Sequence, residues 1–328
     1  MNLLLLILSV LAATVPMLGC VCLIWWLDRY NREPIPLVAG VFAWGAIFAI
    51  LGSFLLSITL THVLGMENAD IIGTMFLAPL VEEPMKAIIL LVVAGTRWFD
   101  NTTDGFVYGA ATGLGFAMTE NFLYFQAHID SGFQQWLYVV LVRTTCTGMM
   151  HTLASAVVGA SLGWAKCRTK DMKVIAFLMG LGTAIAIHSL WNTLIVLEVF
   201  IGGQAILLDL LIIAIEFILI FGAFLGCIEG EHRMMVRELM VEAKGGVLPP
   251  QHVHIIASVR RRSSQGWCPE GVNQQAYIDI ATELAFRRMQ CRGRGPDQER
   301  YYQEARAIRH RLRSLLGTRP LPPEDGEL

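Results

Sequence analysis

An all-α fold, a polytopic membrane helix bundle with about seven transmembrane helices and a small cytoplasmic helical tail, is the class this sequence predicts. Three observations predict it. Of 328 residues, 55% are hydrophobic and only 16% charged, where a soluble domain carries about 25% charged residues. Apolar stretches of bilayer length recur along most of the chain. The last hundred residues then turn polar. Mean hydropathy is +0.54, formal net charge −2 and pI near 6.4, which excludes a disordered chain and gives no basic surface for nucleic acid. Seven cysteines are an odd number, scattered through apolar and polar segments alike, so no disulfide framework is expected.

The apolar stretches run Leu3–Leu27, Leu37–Leu64, Ile71–Gly95, Gly105–Ala127, Trp136–Ala165, Met172–Phe200 and Ala205–Ile228. Each holds about 22 residues or more, enough for a hydrocarbon core of roughly 30 Å. The first contains Met17-Leu18-Gly19-Cys20, superficially a lipoprotein cleavage site. No Lys or Arg precedes it, and the apolar run continues through Trp25 and Trp26, so it reads as a retained span. The membrane part is therefore residues 1–228 and the tail residues 229–328.

Basic residues orient the bundle. Arg29, Arg32, Arg97, Lys166, Arg168, Lys170, Lys173 and the arginine-rich tail follow the odd-numbered spans, whereas His62–Asp70, His128–Gln135 and Ile201–Gln204 contain no Lys or Arg. By the positive-inside rule the N-terminus lies outside and the tail in the cytoplasm, in a cell-membrane protein. In the tail, Tyr277, Ile280, Ala281, Leu284 and Ala285, then Tyr301, Ala305, Ile308, Leu312 and Leu315, follow helical spacing around a Gly293–Pro296 turn. They predict a helical hairpin, rimmed by Arg287, Arg288, Arg292, Arg294, Arg306, Arg309, Arg311 and Arg313. The histidines outside the spans, His252 among them, are expected in solvent.

Ionisable groups inside spans are costly, and so they mark function. The third span carries Glu82, Glu83 and Lys86, the fourth Glu120 and Asn121, the fifth Arg143 and His151, the sixth His188 and Asn192. Spacings of three and four let Lys86 pair with either glutamate, and aim His188 and Asn192 at one neighbour. Counted inward from the outer ends, Glu82, Glu83, His151 and His188 sit roughly 15 to 22 Å deep and Glu120 and Asn192 nearer roughly 10 Å. Four helices thus bring polar groups to similar depth. Gly105, Gly109 and Gly113, with Gly159 and Gly163, form small faces for close helix packing. Two histidines and one or two carboxylates suit a divalent metal, Zn²⁺ above others, with a further carboxylate free to take a proton from water. A metal-free version uses a desolvated glutamate as base. A non-catalytic ion or proton carrier could use the same cluster.

Glu82-Glu83-Pro84-Met85-Lys86 resembles the EExxK motif of the PrsW family of intramembrane proteases. Phe116 to Glu120, continuing through Asn121 to Tyr124, resembles its FxxxE and ENxxY element, and His151, eight residues after Arg143, its third motif. His188 to Asn192 resembles HxxxN, and Asp28-Arg29 with Glu33-Pro34 the family's opening. The resemblance spans about residues 20 to 200 and reaches the wider superfamily of CAAX prenyl endopeptidases and bacteriocin-processing proteins. It implies an endopeptidase that cuts a membrane-anchored protein, such as an anti-sigma factor, on the extracytoplasmic side. By that resemblance Glu82 or Glu83 activates water, His151 and His188 bind metal or polarise the scissile carbonyl, Glu120 assists and Asn192 orients substrate. The implied metal set is His151, His188, Glu83 and Glu120. Implied partners are the bilayer and a membrane protein entering laterally; self-association as a homo-oligomer is left open.

Overall fold

The structure, a computed structural model, describes residues 3–63, 65, 71, 73–201, 205–293 and 298–318. Every regular element among them is helical. The loops around residues 66–70 and 202–204, the turn at residues 294–297 and the side chain of Asp209 lie outside the described residues. The seven described or partly described cysteines are free thiols.

By compactness the chain divides into two units. One comprises Met1–Asp28, Arg32–Lys166 and Asp171–Leu225; the other comprises Arg29–Asn31, Cys167–Lys170 and Gly226–Leu328.

In the first unit, α1 (Leu3–Leu27) buries Leu5, Ser9, Ala13, Met17 and Val21. That unbroken spacing of four is one helical stripe, and the opposite face stays apolar and exposed, as a lipid-facing helix requires. The run α2 (Ile35–Val63) contains a π-helical turn at Trp44–Ala49. A second π turn, Gly73–Leu77, leads into α3 (Ala78–Ala94). Next come α4 (Thr102–Ala127) and α5 (Phe133–Val142), then a third π segment, Arg143–Thr147, and α6 (Gly148–Ala165). Two long helices follow, α7 (Lys170–Ile201) and α8 (Ala205–Lys244).

Helix α4 is the axis of this unit. Asn101 caps it by accepting from the Thr103 and Asp104 amides, and Asp104 accepts from the Asn101 amide in return, which satisfies donors a helix start leaves open. Every residue from Thr103 to Ala117 is buried. Its glycines explain how. A Cβ on Gly105, Gly109 or Gly113 would stand 2.0 to 2.2 Å from the carbonyl oxygens of Gly159, Ser155 and His151. Helix α6 therefore lies against α4 backbone to backbone, at a separation only glycine allows.

Among the described residues, four helices are long and apolar enough to cross a membrane: Leu3–Leu27, Ile35–Val63, Lys170–Leu197 and Leu210–Lys244. Helices α3, α4 and the pair α5 and α6 occupy the other three expected stretches without meeting that standard. The reason is physical: α3 is 17 residues long and carries Glu82, Glu83 and Lys86, while α4 is glycine-rich and buried from Thr103 to Ala117 and carries Glu120 and Asn121.

In the second unit, α9 (Pro250–Ile256), α10 (Val259–Arg262), α11 (Gln274–Cys291) and α12 (Gln298–Leu316) join the end of α8. Tyr277, Ala281, Leu284, Ala285, Tyr301, Ala305, Ile308 and Leu312 are buried with Met235 and Leu239, as the spacing predicts. Two expectations for this region are corrected. Arg288 and Arg313 are buried instead of rimming the surface, because Glu242 holds Arg288 at 2.5 Å and the Gly245 carbonyl accepts from Arg313. His252 is buried too, with its Nδ1 3.0 Å from the Tyr277 hydroxyl and Trp267 edge-on to its ring.

Candidate active site

Helix α3 presents Glu82, Glu83 and Lys86 on successive turns, and Lys86 chooses Glu83: its ammonium donates to Glu83 Oε1 at 2.6 Å. The same oxygen lies 2.7 Å from His188 Nδ1 of α7. Lys86 Nζ also stands 3.0 Å from His151 Nδ1 of α6, over the face of the Phe116 ring. The ammonium is 1% exposed. Burying it is tolerable because a carboxylate, an imidazole and a ring face surround it.

His151 Nε2 turns the other way and meets Glu120 Oε2 of α4 at 2.8 Å. Arg143 Nη2, on the third π segment, contacts that oxygen at 2.8 Å as well. Arg143 Nε donates to Asn121 Oδ1, the Asn121 amide donates back to the Arg143 carbonyl, and the guanidinium lies 3.5 Å from the Tyr124 ring centre. Such π segments recur at functional sites because the wider turn re-aims side chains. The π turn of α2 braces the same region: Trp44 donates to the Met85 carbonyl and the Ala46 carbonyl accepts from Thr119.

The two histidine rings cross edge to face, 4.9 Å apart between centres. Glu82 Oε2 faces His188 Nε2 at 3.9 Å. Both Glu82 Oε2 and Glu83 Oε2 are buried acceptors without a hydrogen-bond partner. One atom each from Glu82, His151 and His188 lie within 4.8 Å of one another, a group that could hold a metal ion. The carboxylate in that group is Glu82, whereas the resemblance implied Glu83 and Glu120 beside the histidines. Glu83 Oε1 meets Lys86 and His188 Nδ1, and Glu120 Oε2 meets His151 and Arg143, while Glu83 Oε2 is as unpartnered as Glu82 Oε2. The fit to a metal is partial: Glu82 Oε2 has no other partner and His188 has a carboxylate on its far nitrogen, the arrangement that orients a ligating histidine, whereas His151 already meets Lys86 at Nδ1 and Glu120 at Nε2 and would have to release one of them to ligate.

Exposure within the cluster is uneven. Glu83, Lys86, His151 and His188 are 0 to 4% exposed in their side chains, whereas Glu82, Glu120 and Arg143 are 15 to 17% exposed. Asn192 lies one turn beyond His188 on the same face of α7 and is half-buried. The sequence reading missed the contact between Lys86 and His151, and the Arg143, Asn121 and Tyr124 clamp. A signal for the clamp was present: Glu120, Asn121 and Tyr124 share one helical face.

The sequence profile described as PrsW family intramembrane metalloprotease matches residues 33–222. Protease PrsW of Bacillus subtilis (strain 168) is 29% identical over 170 residues, 50% of this chain and 72% of that protein. Protease PrsW of Oceanobacillus iheyensis is 30% identical over 193 residues, 56% of this chain and 82% of that protein. No solved structure is detectably similar. The matched region contains all four helices that carry the buried cluster and stops short of the tail, and the chain belongs to the PrsW family of intramembrane proteases.

Proposed function

We propose that this protease hydrolyses a peptide bond of a membrane-anchored protein, an anti-sigma factor being the class the family suggests, at the cluster of Glu82, His151 and His188. The observation that carries this is the unpartnered Glu82 Oε2 opposite His188 Nε2. Water lodged against both atoms would lose its proton to Glu82. Glu83 acts behind the site. It holds His188 through Nδ1, so that Nε2 faces the reacting atoms, while Lys86 balances its charge. Glu120 holds His151 through Nε2, which turns its Nδ1 to Lys86, and Asn192 orients the substrate backbone.

Glu82, His151 and His188 are also the residues that would hold a divalent ion, Zn²⁺ by donor chemistry; when bound, such an ion polarises the scissile carbonyl and acidifies water. In this reading seven helices cross the membrane with the N-terminus outside and residues 229–328 in the cytoplasm. The substrate enters laterally and must present unwound backbone, because a helical peptide bond is shielded.

The test is cleavage of co-expressed single-span substrates by wild type, Glu82→Gln, Glu83→Gln and His188→Ala. Glu82→Gln and His188→Ala should abolish cleavage, and Glu83→Gln should reduce it. Equal fragments from all four proteins would refute the reading. Metal analysis of active protein, with and without chelator, tests the ion: full activity without stoichiometric metal excludes it.

A further inference from the structure

We propose that Arg143 is a catalytic residue, whose Nη2 donates to the oxyanion that forms when water attacks the scissile carbonyl. This rests on the hydrolytic reading above. Three observations carry it, and none requires the metal.

The first is an unused donor. Arg143 Nη2 is buried and reaches no hydrogen-bond acceptor, although Glu120 Oε2 is only 2.8 Å from the nitrogen. Charge is balanced there, but the N–H directions are not matched to it. A buried N–H without an acceptor costs about 1 to 3 kcal/mol, so a site that keeps one has a use for it when a ligand arrives.

The second is place. Arg143 Nη2 and His151 Nε2 each lie 2.8 Å from Glu120 Oε2, which puts them at most about 5.6 Å apart. His151 belongs to the group with Glu82 and His188. In the proposed step the attacked carbonyl lies beside His151 with its oxygen toward Nη2. The Arg143 side chain is also 15% exposed, close to the 15 and 17% of Glu82 and Glu120.

The third is rigidity. Asn121 grips both Nε and the carbonyl of Arg143, and the Tyr124 ring backs the guanidinium at 3.5 Å. A donor fixed before the reaction stabilises developing charge without reorganisation, and is worth about 10² to 10³ in kcat. Lysine cannot replace it, since an ammonium lacks the planar fork that meets Asn121, Glu120 and a ligand together.

The balance of the step is simple. The water oxygen bonds the carbonyl carbon, its proton passes to Glu82, and the carbonyl π pair moves onto oxygen facing Nη2. Collapse breaks the C–N bond, and the proton on Glu82 goes to the leaving amine.

The test uses the full chain in lipid nanodiscs. For a substrate that wild type cuts, Arg143→Lys should lower kcat by about 10² with KM little changed and thermal stability kept. Millimolar guanidinium should restore part of the activity of Arg143→Ala. A wild-type kcat in Arg143→Lys, or a loss in Arg143→Ala that tracks loss of folded protein and is not rescued, would overturn the proposal. A second readout needs no turnover: binding of a peptidyl phosphinate, whose tetrahedral oxygens copy the oxyanion. Affinity should drop at least tenfold in Arg143→Lys, and unchanged affinity would refute the role of Arg143. Wild type that cuts nothing, or activity that survives Glu82→Gln, would instead count against the hydrolytic reading, while the phosphinate result still decides Arg143.

Discussion

Replacing Gly113 by alanine tests how the packing of α4 on α6 sets the site. The new Cβ would stand 2.2 Å from the His151 carbonyl oxygen and 2.7 Å from its carbon. Both are backbone atoms, so no side chain can swing aside. An ordinary contact of 3.4 Å or more requires α6 to retreat by about 1.2 Å, and overpacking of this kind costs about 1 to 3 kcal/mol. The same retreat stretches the 2.8 Å contact of His151 Nε2 with Glu120, which is held by α4, and the 3.0 Å contact with Lys86, which is held by α3. Neither survives as a hydrogen bond at about 4 Å. Misplacement of a catalytic group by about 1 Å costs about 10² in rate. Cleavage of a co-expressed substrate should therefore fall about a hundredfold in Gly113→Ala while folded protein remains. Gly109→Ala makes the same clash one turn away, against the Ser155 carbonyl, and should lose similar stability with a smaller loss of rate. Gly182 of α7, where a Cβ meets nothing within 4 Å, supplies the neutral alanine control. Wild-type cleavage by well-folded Gly113→Ala would refute the reasoning, as would equal rate losses in Gly113→Ala and Gly109→Ala.

Lys86→Met leaves the Glu83 carboxylate buried against His188 alone, and loss of one member of a buried pair costs about 3 to 5 kcal/mol; the thermal midpoint should drop sharply and cleavage should be lost with it. In the second unit, Glu242 accepts from Arg288 and Arg309 at 2.5 to 2.8 Å, so Glu242→Ala should loosen that unit by about 3 kcal/mol or more, read as faster amide exchange along α11 and α12. In the loop before α2, burial pushes the Asp28 carboxyl up to about 7, and burial with the neighbouring Asp104 charge raises Glu33 also. Both pKa values are higher folded than unfolded, so the linked stability is full below about pH 4 and is lost as pH rises through the folded value. The thermal midpoint should fall between about pH 5 and pH 8, less steeply in Asp28→Asn; a midpoint that climbs across this window would contradict it.

Much of the buried cluster is legible in the sequence because each motif is local. Glu82, Glu83 and Lys86 lie within two turns of one helix, as do Glu120, Asn121 and Tyr124, and a spacing of three or four can be read without knowing the neighbours. The glycines of α4 and α6 were legible for the same reason, as small faces at a regular spacing. What could not be read was which atom faces which across helices. Lys86 had two glutamates within reach, and its choice of Glu83 depends on where α6 and α7 place His151 and His188. The burial of Arg288 and His252 was hidden likewise, since a helical stripe shows which side of α11 is apolar but not that Glu242 of α8 waits behind an arginine.

Composition and spacing alone establish a helical membrane protein with ionisable groups inside its apolar stretches, because hydropathy and the 3.6-residue period are properties of single segments. The division of labour inside the cluster is a property of the assembled helices. Glu82 keeps an unpartnered oxygen facing His188 Nε2, Glu83 gives one oxygen to Lys86 and His188 and keeps the other, and Arg143 Nη2 lies beside Glu120 without a matched N–H direction. Those outcomes depend on distances of a few tenths of an ångström between chains of atoms far apart in sequence, and close packing decides them.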